Sequence, residues 1–153
     1  MAVDLSIKID GLDKLEKLFK QAPKIATKNL NTAIKQSVLT LLANARIAAP
    51  VDQGFLRNSG MVTSFEVLKG MLQNKAPYAV YMHEGTRPHY VPIAAIKGWA
   101  DRHGIPPFLV QRSIMRKGTK ARPFFKNSIE ASQAAIDKYF KSATDNIIKE
   151  LSQ

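Results

Sequence analysis

"PFFKNSIEASQAAIDKYFKSATDNIIKEL", Pro123–Leu151, decides the fold. Phe125, Ile129, Ser132, Ile136, Phe140, Ala143, Ile147 and Leu151 follow one another at three- and four-residue steps. That spacing puts them on one face of a long amphipathic helix. Pro123 suits its opening, because its fixed φ matches the first turn and its missing N–H would be unsatisfied there anyway.

A second helical stripe lies near the other end. Ile25, Leu30, Ile34, Val38, Leu41, Leu42 and Ala45 share a face, with Lys24, Lys28 and Lys35 off it. Pro50 stops that helix by driving its predecessor out of the α region. Leu12, Leu15, Leu18 and Phe19 mark a shorter helix that should end near Pro23. Before it, Val3, Leu5, Ile7 and Ile9 alternate with polar residues, the period of a half-buried strand, and Asp10-Gly11 closes it.

The middle is more broken. Ala49–Gly60 reads as a loop centred on Gly54. MVTSFEVL and MLQNKA read as a β-hairpin turning at Lys69-Gly70. Tyr78–Glu84 fits a strand end or a helical turn. PIAAIKGWADRHG, from Pro92, is a short helix closed by Gly104, and Phe108, Leu109, Ser113 and Ile114 allow another. Its end is basic and loose. The expectation is one α+β domain, a small antiparallel sheet packed against two long amphipathic helices, with short helices and a basic loop inserted between them.

The chain has 153 residues, 45% of them apolar, and a net charge of +11. Such a length fits one domain with a modest core. The charge favours an acidic partner, most simply nucleic acid, though a lysine-rich surface explains it equally well. The absence of cysteine excludes disulfides, thiolate zinc sites and cysteine nucleophiles, and fits a reducing compartment. The start, MAVDLSIKID, does not read as a signal peptide, since Asp4 comes early and no apolar h-region follows. Apolar runs of a few residues are too short to span a bilayer.

"PYAVYMHEGTRPH", Pro77–His89, looks chemical. His83, Glu84 and His89 imitate a zincin motif, but the histidines are six apart rather than four, with Gly85 and Pro88 between them. His103 lies on another element. No G-x-S-x-G elbow is present, and Ser59, in "RNSG", has no histidine near it in sequence. Asp52 and Glu84 fit a loop aspartate and a paired glutamate better than an acid/base couple. "RKGTKAR" has one glycine and no phosphate-loop frame, and "GTR" alone is too short to signify. Trp99, beside Ile93 and Ile96, reads as core. No enzyme, metal or cofactor is therefore expected. The remaining chemical candidate is Arg112, Arg116, Lys117, Lys120 and Arg122, five cations with no intervening acid. On an exposed loop they suit contacts to phosphate. Without interleaved aromatics, stacking on single strands is not expected there. A merely solvated loop stays open.

Three stretches occur in an order that resembles the tail-component family of long-tailed bacteriophages, also described as neck or tail-completion proteins. They are "APVDQGFLRNS" (Ala49–Ser59), "PYAVYMHEGT" (Pro77–Thr86) and "RPFF" (Arg122–Phe125). Pro50, Gly54, Leu56 and Arg57 match the first motif. Tyr78, Ala79, Tyr81, Glu84, Gly85 and Thr86 match the second, and Pro123 and Phe124 the third. The resemblance spans residues 1–153 as one domain, with an insertion at about 87–122 that the simpler family pattern lacks. It implies a non-catalytic virion protein at the head–tail junction, assembled in the host cytoplasm as a ring, of six copies by resemblance. The implied partners are packaged DNA, lined by the five cations, and neighbouring neck and tail proteins, a stopper or adaptor and a tail terminator; no membrane is implied. Tyr78, Tyr81 and Glu84 become fold or interface residues, and Arg57 the expected partner of Glu84. A small sequence-nonspecific DNA-binding protein is the alternative. A base-reading regulator would want helices rich in Arg, Asn or Gln, whereas the best-formed helices here offer mainly lysine.

Overall fold

The computed structural model describes residues 12–58 and 60–152, with side chains from Glu16 onward. The expected strand over Val3–Ile9 lies outside the described residues, as does Ser59. The elements are α1 (Leu12–Ala48), α2 (Phe55–Asn58), β1 (Met61–Glu66), β2 (Lys69–Asn74), α3 (Ala79–Glu84), α4 (Ile93–Arg102), α5 (Pro107–Lys117) and α6 (Phe124–Leu151). The fold is α+β: one antiparallel hairpin packed on long helices.

The frame is α1 against α6. Asn44 Nδ2 donates to Ser132 Oγ at 2.8 Å, Thr40 Oγ1 meets the Tyr139 hydroxyl at 3.2 Å, and Asn29 Nδ2 donates to Glu150 Oε1 at 3.1 Å. Positions falling on α1 thus meet positions rising on α6, so the helices run antiparallel. Their seam is built from small side chains: Ala33, Ser37 and Ala45 on one side, Ser128, Ser132 and Ala143 on the other, all buried. The serine hydroxyls donate along their own helices, Ser37 to Ala33 O and Ser132 to Ser128 O, which leaves Ser132 Oγ to accept from Asn44 across the seam.

Two sequence expectations change here. The chain does not break at Pro23; α1 runs through it as one helix of 37 residues. A proline inside a helix costs about 3 kcal/mol. Pro23 is exposed, so water can solvate the carbonyl it frees, and the long run on either side outweighs the loss. The stripe of α6 holds at Ser132 and Ala143, which are buried, but Ser128 joins them at the seam while Ile129 and Phe140 stay 51% and 37% exposed. Close helix approach selects the small residues and leaves the large ones at the flank.

The hairpin turns two residues earlier than expected. Glu66 pairs with Lys69 and Phe65 with Gly70, so Val67-Leu68 is the turn. Leu68 adopts φ +55°, a conformation that non-glycine residues resist. Its N–H donates to Asn31 Oδ1 on α1 at 2.7 Å, which holds the turn in place. Gly70 lies inside β2 for steric reasons. A Cβ there would stand 2.6 Å from Val38 Cγ2 and 2.7 Å from Ile34 Cγ2, so only glycine lets the strand lie on α1.

The core gathers Ala45, Ala49, Leu56, Met61, Ala76, Ala79 and Phe124. It is thin, with few large side chains fully buried among the described residues.

Gly70→Ala should destabilise the fold by about 1–3 kcal/mol through overpacking against α1. Urea denaturation measures this, and an unchanged midpoint would mean the strand does not approach the helix this closely.

Candidate nucleic-acid interface

The chain leaves the body after α3 and returns to it before α6 at one place. Gly85 ends α3 with φ +76° and Gly118 ends α5 with φ +71°. The threonine after each glycine pairs with the other as an antiparallel bridge. Thr86 N donates to Thr119 O at 3.1 Å, Thr119 N to Thr86 O at 3.2 Å, and the two hydroxyls lie 3.0 Å apart. Both glycines are required by this crossing. A Cβ on Gly85 would stand 2.5 Å from Thr119 O, and one on Gly118 would strike Thr86 O. Arg122 N then donates to Met82 O at 2.9 Å, setting Phe124, 1% exposed, into the core with its ring edge-on to His83 at 5.4 Å. Neither "GTR" nor "RKGTKAR" signalled this clasp alone; the signal was the repeat of Gly-Thr after two helical stretches.

The segment between the two threonines is a helical hairpin, α4 against α5. Its tip is a glycine-closed helix end: Gly104 N donates to Asp101 O and Ile105 N to Ala100 O, satisfying two orphan carbonyls, with Gly104 at φ +65°. Pro106 and Pro107 then start α5. At the base, Gln111 Nε2 donates to Val91 O at 2.7 Å. The hairpin is tied to the body by Asp52, which receives Arg102 Nε at 3.2 Å and Nη2 at 2.5 Å in a two-pronged pair. The hydrogen bonds from Arg102 hold the Asp52 carboxyl below the ordinary carboxylate range; desolvation opposes this, and the nearby charges of Arg102 and His103 add to it. The same hydrogen bonds raise Arg102.

Charge concentrates on this hairpin. From Arg87 to Arg122 eight Arg or Lys stand beside one Asp, a net +7 of the chain's +11. Lys97 and Arg102 are paired with Asp101 and Asp52. Arg112, Arg116, Lys117, Lys120 and Arg122 are exposed and form no ion pair among the described residues. They do not make the loose loop expected of them. Arg112, Arg116 and Lys117 belong to α5, with Arg112 and Arg116 one turn apart on one face, and Lys120 and Arg122 follow the clasp.

Other expectations separate on inspection. Glu84 and Arg57 do not pair. Both are exposed, and Arg57 Nε instead reaches Asn58 Oδ1 at 3.4 Å. An exposed Glu84 needs no buried counter-ion. Trp99 is not core; it is 40% exposed and stacks on His103 with centroids 4.2 Å apart. One helical turn separates the two, which places the rings face to face. The first motif places Pro50 after α1, Gly54 at φ +81° ahead of α2, and Leu56 in the core. The second places Tyr78 and Tyr81 on the surface, 43% and 61% exposed. The third places Pro123 half-buried ahead of α6 and Phe124 inside. Among the described residues no three His, Asp or Glu side chains gather as metal ligands would. His83 Nδ1 is buried with no partner among them, and two phenylalanine rings flank its imidazole.

Tyr78 and Tyr81 open onto an apolar groove of about 620 Å³ between the clasp and the hairpin base, with Pro88, Val91, Ile96 and Ile114 on its walls and Arg87 and His89 also lining it. Compared with protein-family models, with curated proteins and with solved structures, the chain matches none of them.

Two outcomes follow from this geometry. Gly118→Ala should cost more than the roughly 1–2 kcal/mol of a left-handed alanine, because a backbone carbonyl blocks the new methyl. Gly104→Ala, with nothing within 4 Å of its Cβ position, should show the backbone part alone. Equal losses in urea unfolding would remove the clasp's steric requirement. The second outcome concerns pH. A lowered folded pKa means that Asp52 stabilises the fold fully above the ordinary carboxylate range, and that this contribution fades as pH falls through that range to the lowered value. Wild type should therefore exceed Asp52→Asn in urea midpoint at neutral pH, with the gap closing on acidification below about pH 4. A gap independent of pH would assign the effect to something other than the charge.

Proposed function

We propose that this chain is a structural subunit of a bacteriophage neck, a tail-completion protein that assembles as a ring at the head–tail junction, its basic hairpin turned toward the packaged DNA. The observation that carries the reading is the net +7 hairpin, with five exposed cations that form no ion pair among the described residues. The three ordered motifs support the family, and six copies come from the same resemblance. Stopper or adaptor and tail-terminator proteins are the neighbours this position requires, and the virion is the location. The role is mechanical, with no catalytic group, metal or cofactor.

Arginine and lysine along α5 suit a channel because they hold phosphates without reading bases, so DNA passes regardless of sequence. The same hairpin supports the second reading, a small sequence-nonspecific DNA-binding protein. The two part on assembly. Electron microscopy of the purified protein should show rings or stacked tubes on the first reading and single particles on the second. DNA binding should be weak, sequence-independent and steeply salt-dependent. Neutralising Arg112, Arg116 and Lys117 should reduce the slope of log K against log salt by about three units or slightly less. An unreduced slope would place the hairpin against something other than DNA, such as an acidic neighbouring ring.

A further inference from the structure

Between Ile93 and Lys117 the α4–α5 hairpin has one polar tie to the body among the described residues. Asp52, on the loop between α1 and α2, receives Arg102 Nε at 3.2 Å and Nη2 at 2.5 Å. The other side-chain hydrogen bonds of that stretch stay within the excursion: Lys97 to Asp101, His103 with Trp99 O, and Gln111 to Val91 O. The helices α4 and α5 pack on each other, and neither packs to a comparable extent on any other described helix or strand. Toward α3 they are separated by the groove that Tyr81, Met82, Ile96 and Ile114 line.

The hairpin is thus held at two points. The clasp fixes its base. Arg102, the last residue of α4, fixes the far end, and the ten residues of that helix span about 15 Å at the α-helical rise. The side chains of Asp52 and Arg102 are 34% and 41% exposed, so the far point is open to solutes. Exposed pairs are weak and are screened by salt. A weak pair at the end of a lever, with no broad packing behind it, is suited to opening and closing.

The geometry of the pair says what opens it. A guanidinium presents two parallel N–H donors to a carboxylate and the same two to a phosphate. Asp52 therefore occupies the place on Arg102 that a phosphodiester would take. Arg112, Arg116, Lys117, Lys120 and Arg122 lie on the same excursion, exposed and in no ion pair among the described residues. A polyanion drawn to them raises the phosphate concentration around Arg102, which a small anion in solution does not do.

We propose that Asp52 and Arg102 form a releasable latch: DNA phosphate displaces the Asp52 carboxylate, which adds Arg102 to the DNA contact and frees the far end of the hairpin. The proposal rests on the DNA-binding reading above and holds for a ring or a single particle alike. Asp52 is then an internal competitor that withholds Arg102 until the other cations have engaged.

The test uses the full chain and a short fluorescent DNA duplex of arbitrary sequence. Anisotropy titrations at several salt concentrations compare wild type, Asp52→Asn, Arg102→Gln, the double variant and Asp145→Asn. Asp145 is exposed on α6 and forms no ion pair among the described residues, so its substitution matches the charge change and leaves the hairpin alone. Asp52→Asn should bind about two- to fivefold more tightly, the size of an exposed pair, and Asp145→Asn less so. The gain should vanish in the double variant. Arg102→Gln should lower the slope of log K against log salt by about one unit. Spin labels at Ile47→Cys and Phe108→Cys, exposed sites in this cysteine-free chain, read the distance from body to hairpin by double electron–electron resonance. Its distribution should broaden when duplex is added, and in Asp52→Asn without duplex. DNA bound with a slope that Arg102→Gln leaves unmoved would overturn the latch and leave the DNA reading standing. A gain in Asp52→Asn no larger than in Asp145→Asn would overturn the competition. One narrow distance under all conditions would overturn the freed hairpin. Wild type that binds no duplex even at low salt would overturn the DNA reading itself.

Discussion

One backbone crossing organises the half of the molecule that carries the charge. Thr86 and Thr119 exchange main-chain hydrogen bonds, and a left-handed glycine precedes each of them. Without a Cβ at either glycine the two strands can touch; with one they cannot. The crossing brings residues 33 positions apart together, so everything between them becomes a closed excursion. Closing a loop of that length is entropically unfavourable. The bridge, the threonine hydroxyl pair and the Arg122–Met82 bond offset it. The same bonds set the start of α6, and hence which residues of α6 meet α1. The basic hairpin and the helical frame are therefore coupled through a few backbone atoms.

The long elements were legible because periodicity is a property of many residues at once. The buried stripe of α1, with Val38 and Ala45 in it and Lys24, Lys28 and Lys35 outside, stands as the spacing implied. The shorter features were read wrongly where one residue has two uses. Gly70 looked like a turn residue and is a strand residue lying against Val38 and Ile34. Pro23 looked like a stop and is tolerated on an exposed face. Ile129 and Phe140 looked like core because they are apolar, yet they stay exposed, while Ser128, outside the expected stripe, is buried beside Ser132, which was in it. A hydrophobicity pattern reports where water is excluded, not how closely two helices approach. The Glu84–Arg57 pair failed for a related reason. Motif proximity does not fix side-chain direction, and both groups point to solvent.

The hairpin's attachment also shows how charge is distributed with purpose in the physical sense. Its acidic contact with the body is spent on Arg102, through Asp52, and Asp101 neutralises Lys97. The cations left over sit on α5 and just past the clasp. An ion pair at the tip end of α4 holds the hairpin against the body, while uncompensated charge on α5 creates a field. Exposed pairs of this kind contribute modestly to stability, so the arrangement is better understood as geometry than as strength.

The core bears on the same question. Among the described residues the largest fully buried side chain is Phe124, and the next in size at that depth are Ser128 and Ser132. Seven of the eleven buried apolar residues among those described are alanines. Alanine at a close helical seam gains good packing but buries little apolar area per residue, and transfer free energy scales with that area. Meanwhile Ile47, Val67, Val80, Tyr81, Tyr90 and Phe108 each remain more than half exposed. A subunit built this way has little stability to draw from its own interior and much apolar area left to bury. On the ring reading, assembly supplies that burial, so folding and association become linked by mass action. The clasp has a second physical consequence: together with the Asp52–Arg102 pair, it holds the α4–α5 hairpin in one orientation on the body, so whatever meets its cations meets them already placed, with less ordering entropy lost at the contact.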